Sequence, residues 1–310
     1  MRLHYSAAFS PYSRAHKDGE TEQNREVSMN RLETNMFFVC GAPKSGTTWL
    51  QRSLNSHPSI ICKGEGHFIE KLLLPMATVF RDYNTRLKLV SKEVYNGNPY
   101  YNNISNSDFF EFCHQVIMKM MLSNEEKSAD AFGDKTPRYY EYIDNIKHIY
   151  PNGKIICILR DPRDLVVSKL YHAKRSGVKD VLNKGSENRI FQIKLTINQF
   201  VNCFEKITSA INKYTSDVYV TYYEELLGNN AEEIKKILEF IGVHTSKEII
   251  NDIVYSNSFQ SFTNRNPGEM DINSFYRKGI SGDWVNEITD EEERMIREYI
   301  TSRIDISYFQ

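Results

Sequence analysis

A short apolar run at 36–41 (MFFVCG) meets a glycine-bearing turn at 42–46, and a pattern of helical period starts at Thr47. That order predicts a strand, loop and helix unit of the α/β kind. A second copy follows: 154–159 (KIICIL) is an apolar strand, 160–164 (RDPRD) carries a turn proline, and 165–175 (LVVSKLYHAKR) continues as helix. The third strand is expected at 217–222 (DVYVTY), after a long amphipathic segment at 189–214, and a fourth around 130–133. Strands alternating with helices imply a parallel sheet covered on both faces, with ligands at the carboxyl ends of the strands. Both loops lie there.

The first residues are polar and rich in breakers, so 1–34 are expected to form a loose tail and 35–310 one domain; no repeat or linker divides the latter. Composition adds mainly exclusions. Of 310 residues 40% are hydrophobic and 25% charged, and 39 Lys+Arg against 40 Asp+Glu leave a formal charge of −1. No net basic field is present to hold nucleic acid, so an anion site must be local. The longest apolar runs fall far short of the roughly 20 residues that span a bilayer, and the first residues lack the apolar core expected of a secretory signal. Five scattered cysteines without C-x-x-C spacing predict buried thiols, no metal and a cytoplasmic location.

Residues 41–48 (GAPKSGTT) nearly satisfy the phosphate-loop pattern, with Gly41 and Gly46 at the right separation and Thr48 at the Ser/Thr position. The lysine is displaced, because Thr47 follows the second glycine and Lys44 lies inside the loop. A triphosphate is then a poor fit. The amides of Ser45, Gly46, Thr47 and Thr48 at a helix start still suit one phosphate or phosphosulfate.

APKSGTTW followed by a helix resembles the 5′-phosphosulfate loop of sulfotransferases that use 3′-phosphoadenosine 5′-phosphosulfate (PAPS; product PAP). Two further motifs resemble the same family in the same order. LRDPRDLVVS at 159–168 places Arg160 and Ser168 like its 3′-phosphate site, and YRKGISGDW at 276–284 supplies Arg277, Lys278 and Gly279 like its RKG…GDW segment. The resemblance implies a P-loop-like three-layer α/β fold with a central parallel sheet flanked by helices. Trp49 then matches an aromatic stacked on the purine, and Tyr223 a tyrosine near its amino group. Taken alone, Arg160 could instead pair with Asp161 or Asp164, Arg277 and Lys278 could form a solvated turn, and Trp49 and Tyr223 could be core residues.

The histidine-bearing KTH segment of the family's cytosolic branch is missing. HPSIICKGEGHF at 57–68 instead resembles the segment of tyrosylprotein and heparan sulfotransferases in which a glutamate is the catalytic base, and this implies Glu65, with His67 as rival. DKTPRYY at 134–140 resembles their EKTP element, whose lysine approaches the sulfonate, and this implies Lys135; Thr136 and Pro137 also suit an N-cap and first position of a helix. The acidic runs 124–127 and 290–294 are expected to be solvated helix ends. Segments 69–122 and 176–190 are expected to surround a small or flat acceptor, a metabolite, glycan or lipid, whose identity no motif encodes. The competing readings are a small-molecule kinase and a non-catalytic nucleotide-binding module; oligomeric state is not encoded in any motif.

Overall fold

The computed structural model describes residues 31–123 and 128–305. Five strands form one parallel sheet in the order β2-β3-β1-β4-β5. The central strand β1 (Met36–Gly41) is buried along its whole length, and its side chains alternate between two cores. Phe37 and Val39 face one layer. That layer holds α1 (Thr47–Asn55), and later α7 (Tyr223–Gly228), α8 (Asn230–Ile241) and α9 (Lys247–Ser256), through Leu50, Leu54, Leu226, Ile234, Ile237 and Ile253. Phe38 and Cys40 face the other. There the chain places α2 (Leu74–Val94) and α3 (Asn106–Leu122), then α4 (Ile143–Ile149), α5 (Pro162–Arg175) and α6 (Glu187–Lys213). Short α10 (Phe259–Thr263) and α11 (Trp284–Glu287) precede the final α12 (Asp290–Thr301). The expected three-layer α/β architecture is present.

The remaining strands refine the sequence-based expectations. β4 (Lys154–Leu159) is as expected, and β5 (Val218–Tyr222) begins one residue later. β3 (Ala131–Lys135) extends past the expected 130–133, which carries Lys135 to the strand end. β2 (Ile60–Gly64) was not anticipated: only Ile60, Ile61 and Cys62 are buried, too short a run to stand out. Helix α5 starts at Pro162 rather than 165, with Pro at its first position and the Asp161 side chain capping Arg163 N–H.

Two local expectations are corrected. Thr136 holds the N-cap position of the turn at Pro137–Tyr142, with Pro137 at its start as expected, but its side chain does not cap that turn: the hydroxyl donates to Asp134 (3.1 Å) and accepts from the His67 amide (3.2 Å). The 290–294 run is not wholly solvated, because Glu292 is buried and takes a bidentate pair from buried Arg189 at 2.6 and 2.8 Å. The 124–127 run and residues 1–30 of the expected tail lie outside the described residues. The five cysteines are buried, as expected, and the Cys40 and Cys157 thiols lie 3.5 Å apart. Among the described residues no helix is long and apolar enough to cross a membrane.

Candidate active site

Every strand delivers a candidate residue at its carboxyl end: Glu65 after β2, Lys135 on β3, the 42–46 loop after β1, Arg160 after β4 and Tyr223 after β5. The crevice beside β1, where the strand order reverses, is where such sheets bind ligands. A cavity of about 430 Å³ opens there.

Its floor is the first loop. The Ser45 amide closes a turn onto the Ala42 carbonyl (3.0 Å), and Gly46 takes the left-handed conformation (φ 105°) from which α1 starts. A Cβ at Gly46 would stand 2.7 Å from the Tyr223 ring, so both backbone angle and space require glycine. No side chain caps α1. Its first-turn amides have no intrahelical acceptor and point their partial positive charge into the cavity. Among the described residues seven buried side-chain polar atoms lack partners, and three cluster here: Lys44 Nζ, Ser45 Oγ and Arg160 Nε. A built anion cradle leaves donors in that state.

Lys44 Nζ lies 3.6 Å from the centre of the Phe275 ring. Burial, and then the nearby Arg175, Lys169 and Arg160 charges, push its ammonium down to about 7. Arg160 Nη1 donates to the Lys44 carbonyl and Nη2 to that of Ile280, both at 3.3 Å, with the guanidinium 4.1 Å over Tyr223. It comes no nearer to Asp164 than 4.0 Å. Asp161 pairs instead with Arg163 (2.6 Å), and Asp164 accepts the amides of Gly282 (2.6 Å) and Trp284 (3.1 Å), which ties the C-terminal loop to α5.

Ser168, Arg277, Lys278 and Gly279 line the same cavity. Arg277 pairs with Asp283 and, at 3.5 Å, with Glu287; Lys278 reaches Asp283 at 2.7 Å. These acids were not foreseen in the motif. Trp49 donates its indole N–H to the Asn257 carbonyl (2.8 Å) and meets Tyr223 edge-on, their ring centres 5.8 Å apart. Both aromatics border the cavity, although Tyr223 is itself buried.

At the opposite rim Glu65 is exposed and Lys135 is buried. Lys135 Nζ donates to Glu65 Oε1 (2.6 Å) and Thr48 Oγ1 (3.2 Å), joining the candidate base to the loop. Glu65 Oε2 lies 3.6 Å from His67 Nε2, whose other ring nitrogen is 2.5 Å from Glu70 Oε1. An ionised carboxylate only accepts, so this contact assigns the imidazole proton to Nδ1 and leaves Nε2 facing Glu65. Beneath them buried Asp134 accepts the Gly66 amide at 3.0 Å; burial pushes its carboxyl up, against hydrogen bonds from Tyr139, Gly66 and Thr136. Sequence reasoning missed Glu70 and Asp134. The i,i+3 spacing from His67 was a signal for the first, and the position before Lys135 for the second.

An α/β fold with an uncapped phosphate-type loop and a paired carboxylate and lysine at its rim has the parts to hold an anionic group at the carboxyl edge of its sheet. The match is more specific: the family model "Sulfotransferase family" covers residues 37–247, and the chain belongs to that family. It is 23% identical over 243 residues to a protein-tyrosine sulfotransferase of Drosophila melanogaster, covering 74% of this chain but 42% of the fly protein. It is 24% identical over 216 residues to a putative protein-tyrosine sulfotransferase of Caenorhabditis briggsae (70% and 68% covered), and 30% identical over 166 residues to sulfotransferase 1 family member D1 of Mus musculus (49% and 55%). In fold it is similar to mouse sulfotransferase SULT7A1 complexed with PAP, with a TM-score of 0.56 at 20% identity over 89% of this chain and 85% of that one. Retinol dehydratase in complex with androsterone and inactive cofactor PAP gives 0.51 at 18% identity over 90% and 83%.

Proposed function

We propose that this chain transfers the sulfuryl group of PAPS to a hydroxyl or amine of a small acceptor, with Glu65 as general base. The observation that carries the reading is the convergence of unpartnered buried donors, Lys44 Nζ, Ser45 Oγ and Arg160 Nε, on the uncapped start of α1. The donor, when bound, supplies an activated sulfuryl group on a phosphate leaving group. The amides of Gly46, Thr47 and Thr48 hold its 5′ end together with Lys44, while the Ser45 amide, expected to join them, is engaged by the Ala42 carbonyl; Arg160, Ser168 and Arg277 hold its 3′-phosphate, and Trp49 and Tyr223 its base. Lys135 and Lys44 neutralise charge that develops on the transferring and leaving oxygens. Glu65 Oε2, free of the Lys135 bond at Oε1, takes the acceptor proton. That relatives of this fold are complexed with PAP supports the donor assignment.

Calorimetry with PAP and with adenosine 5′-phosphate tests it. A charge-assisted contact is worth roughly 1.5–3 kcal/mol, so loss of the 3′-phosphate should weaken binding at least about tenfold. Equal affinities would remove the 3′-phosphate role of Arg160, Ser168 and Arg277.

Lys44 adds a pH dependence. In the free protein its ammonium titrates at about 7. A bound anion favours the charged form and raises that value, so between the two values binding takes up a proton. PAP affinity should fall above pH 7, by up to about tenfold per pH unit. A phosphate's own second ionisation, near 6, lies below this window. Lys44→Met should flatten the profile over pH 7–9; a profile unchanged by that substitution would assign the dependence elsewhere.

A further inference from the structure

We propose that the acceptor carries an anionic group, a carboxylate, sulfate or phosphate, seated against Lys169, His172 and Arg175 of α5. The inference rests on the sulfotransferase reading above and names the acceptor's chemistry. The three residues recur at steps of three, so their side chains share one helix face, and all three line the cavity. Lys169 and Arg175 are half-buried and His172 is exposed. Among the described residues none of them has a hydrogen bond or an ion pair through its side chain, whereas Lys135, Arg277 and Lys278 of the same site each hold a carboxylate.

The facing groups sharpen the imbalance. Across the cavity stand further cations, Lys44 and Arg160, and the acids in electrostatic range are Glu65 toward Lys44 and Asp271 toward Arg175. Burial lowers the ammonium of Lys169; burial and then Lys44, Lys169 and Arg175 lower His172. Gathering like charges without counter-charge is unfavourable, and an anion relieves it. The dipole of α5 favours basic residues in its last turn, which holds His172, Lys174 and Arg175, but it does not account for Lys169 in the turn before, nor for the three that line the cavity while Lys174 does not.

The donor does not use up these charges. Its proposed 3′-phosphate contact on this helix is Ser168, and Arg175 lies seven residues on, about 10 Å along the axis. One phosphate does not span that distance. Ser168, the stripe and Glu65 all line one cavity, so an acceptor anchored at the stripe by an anionic tail shares that cavity with the candidate base.

Three phenols that share a ring and differ in tail charge test the idea: 4-hydroxyphenylacetate, 4-ethylphenol and tyramine, titrated into PAP-saturated protein. The anionic phenol should bind at least about tenfold tighter than the neutral one, and tyramine weakest. In the double variant Lys169→Gln, Arg175→Gln the preference should shrink to within about threefold while PAP affinity, which also reports folding, stays within about threefold of wild type. Equal binding of the three phenols, no binding of any, or a preference kept in the variant would overturn the proposal. A tenfold loss of PAP affinity in the variant would overturn it too, assigning these cations to the donor. Failure of wild-type protein to bind PAP is a separate result: it sinks the donor reading and this inference with it.

Discussion

Replacing Glu65 by glutamine is expected to lower turnover on the order of a hundred- to ten-thousandfold while PAP affinity changes by less than about threefold. The amide keeps the side chain's shape, and its oxygen can still accept from Lys135 as Glu65 Oε1 does at 2.6 Å. What is lost is the acceptor capacity of Oε2, the oxygen turned away from Lys135 and toward His67. Thermal stability should barely move, because Glu65 is exposed and Lys135 retains the Thr48 hydroxyl. His67→Ala should cost less, since it removes a neighbour 3.6 Å from the carboxylate rather than the carboxylate. The pair is decisive when assayed with one competent acceptor. Near-normal turnover in Glu65→Gln together with a dead His67→Ala would transfer the base role to His67, with Glu70 at 2.5 Å fixing its tautomer.

What could be read from the sequence divides by range. The loop at 41–48 was legible because its contacts are local: the Ser45 turn, the left-handed Gly46 and the uncapped start of α1 are all set within a few residues. Lys135 was legible as a motif, but its proximity to Glu65 depends on β2 pairing with β3, where Gly64 sits opposite Lys135. A five-residue edge strand with three buried positions gives periodicity too little length to register. The pairing of Arg277 and Lys278 with Asp283 and Glu287 belongs to the folded loop, which Asp164 anchors from 118 residues away. Glu292 shows the same limit. Its DEEER context reads as solvated surface, and only Arg189, 103 residues distant, makes it a buried partner. Local chemistry is written in short motifs, whereas counter-charges come from whatever the topology brings alongside.

Lys135→Ala is expected to lower kcat by roughly a hundred- to a thousandfold, the usual consequence of deleting one preorganised donor to developing charge, and to weaken PAP much less. Among the described residues Nζ is the only atom of the site bonded both to the loop, at Thr48 Oγ1, and to the candidate base, at Glu65 Oε1. In the proposed mechanism it stands where charge grows between donor and acceptor, and it is buried, so water does not screen it. The fold should survive, because the partner left behind is an exposed carboxylate that water can solvate. Arginine should not rescue activity. A Cβ built on Gly64 would stand 3.0 Å from Lys135 Cε, which shows how closely the β2 backbone confines this side chain, and a planar guanidinium is bulkier than an ammonium. Steady-state kinetics with saturating donor, alongside PAP calorimetry, separates the outcomes. A loss in PAP affinity as large as the loss in kcat would make Lys135 a binding residue, and full activity in Lys135→Ala would leave it only the task of holding Glu65 in place.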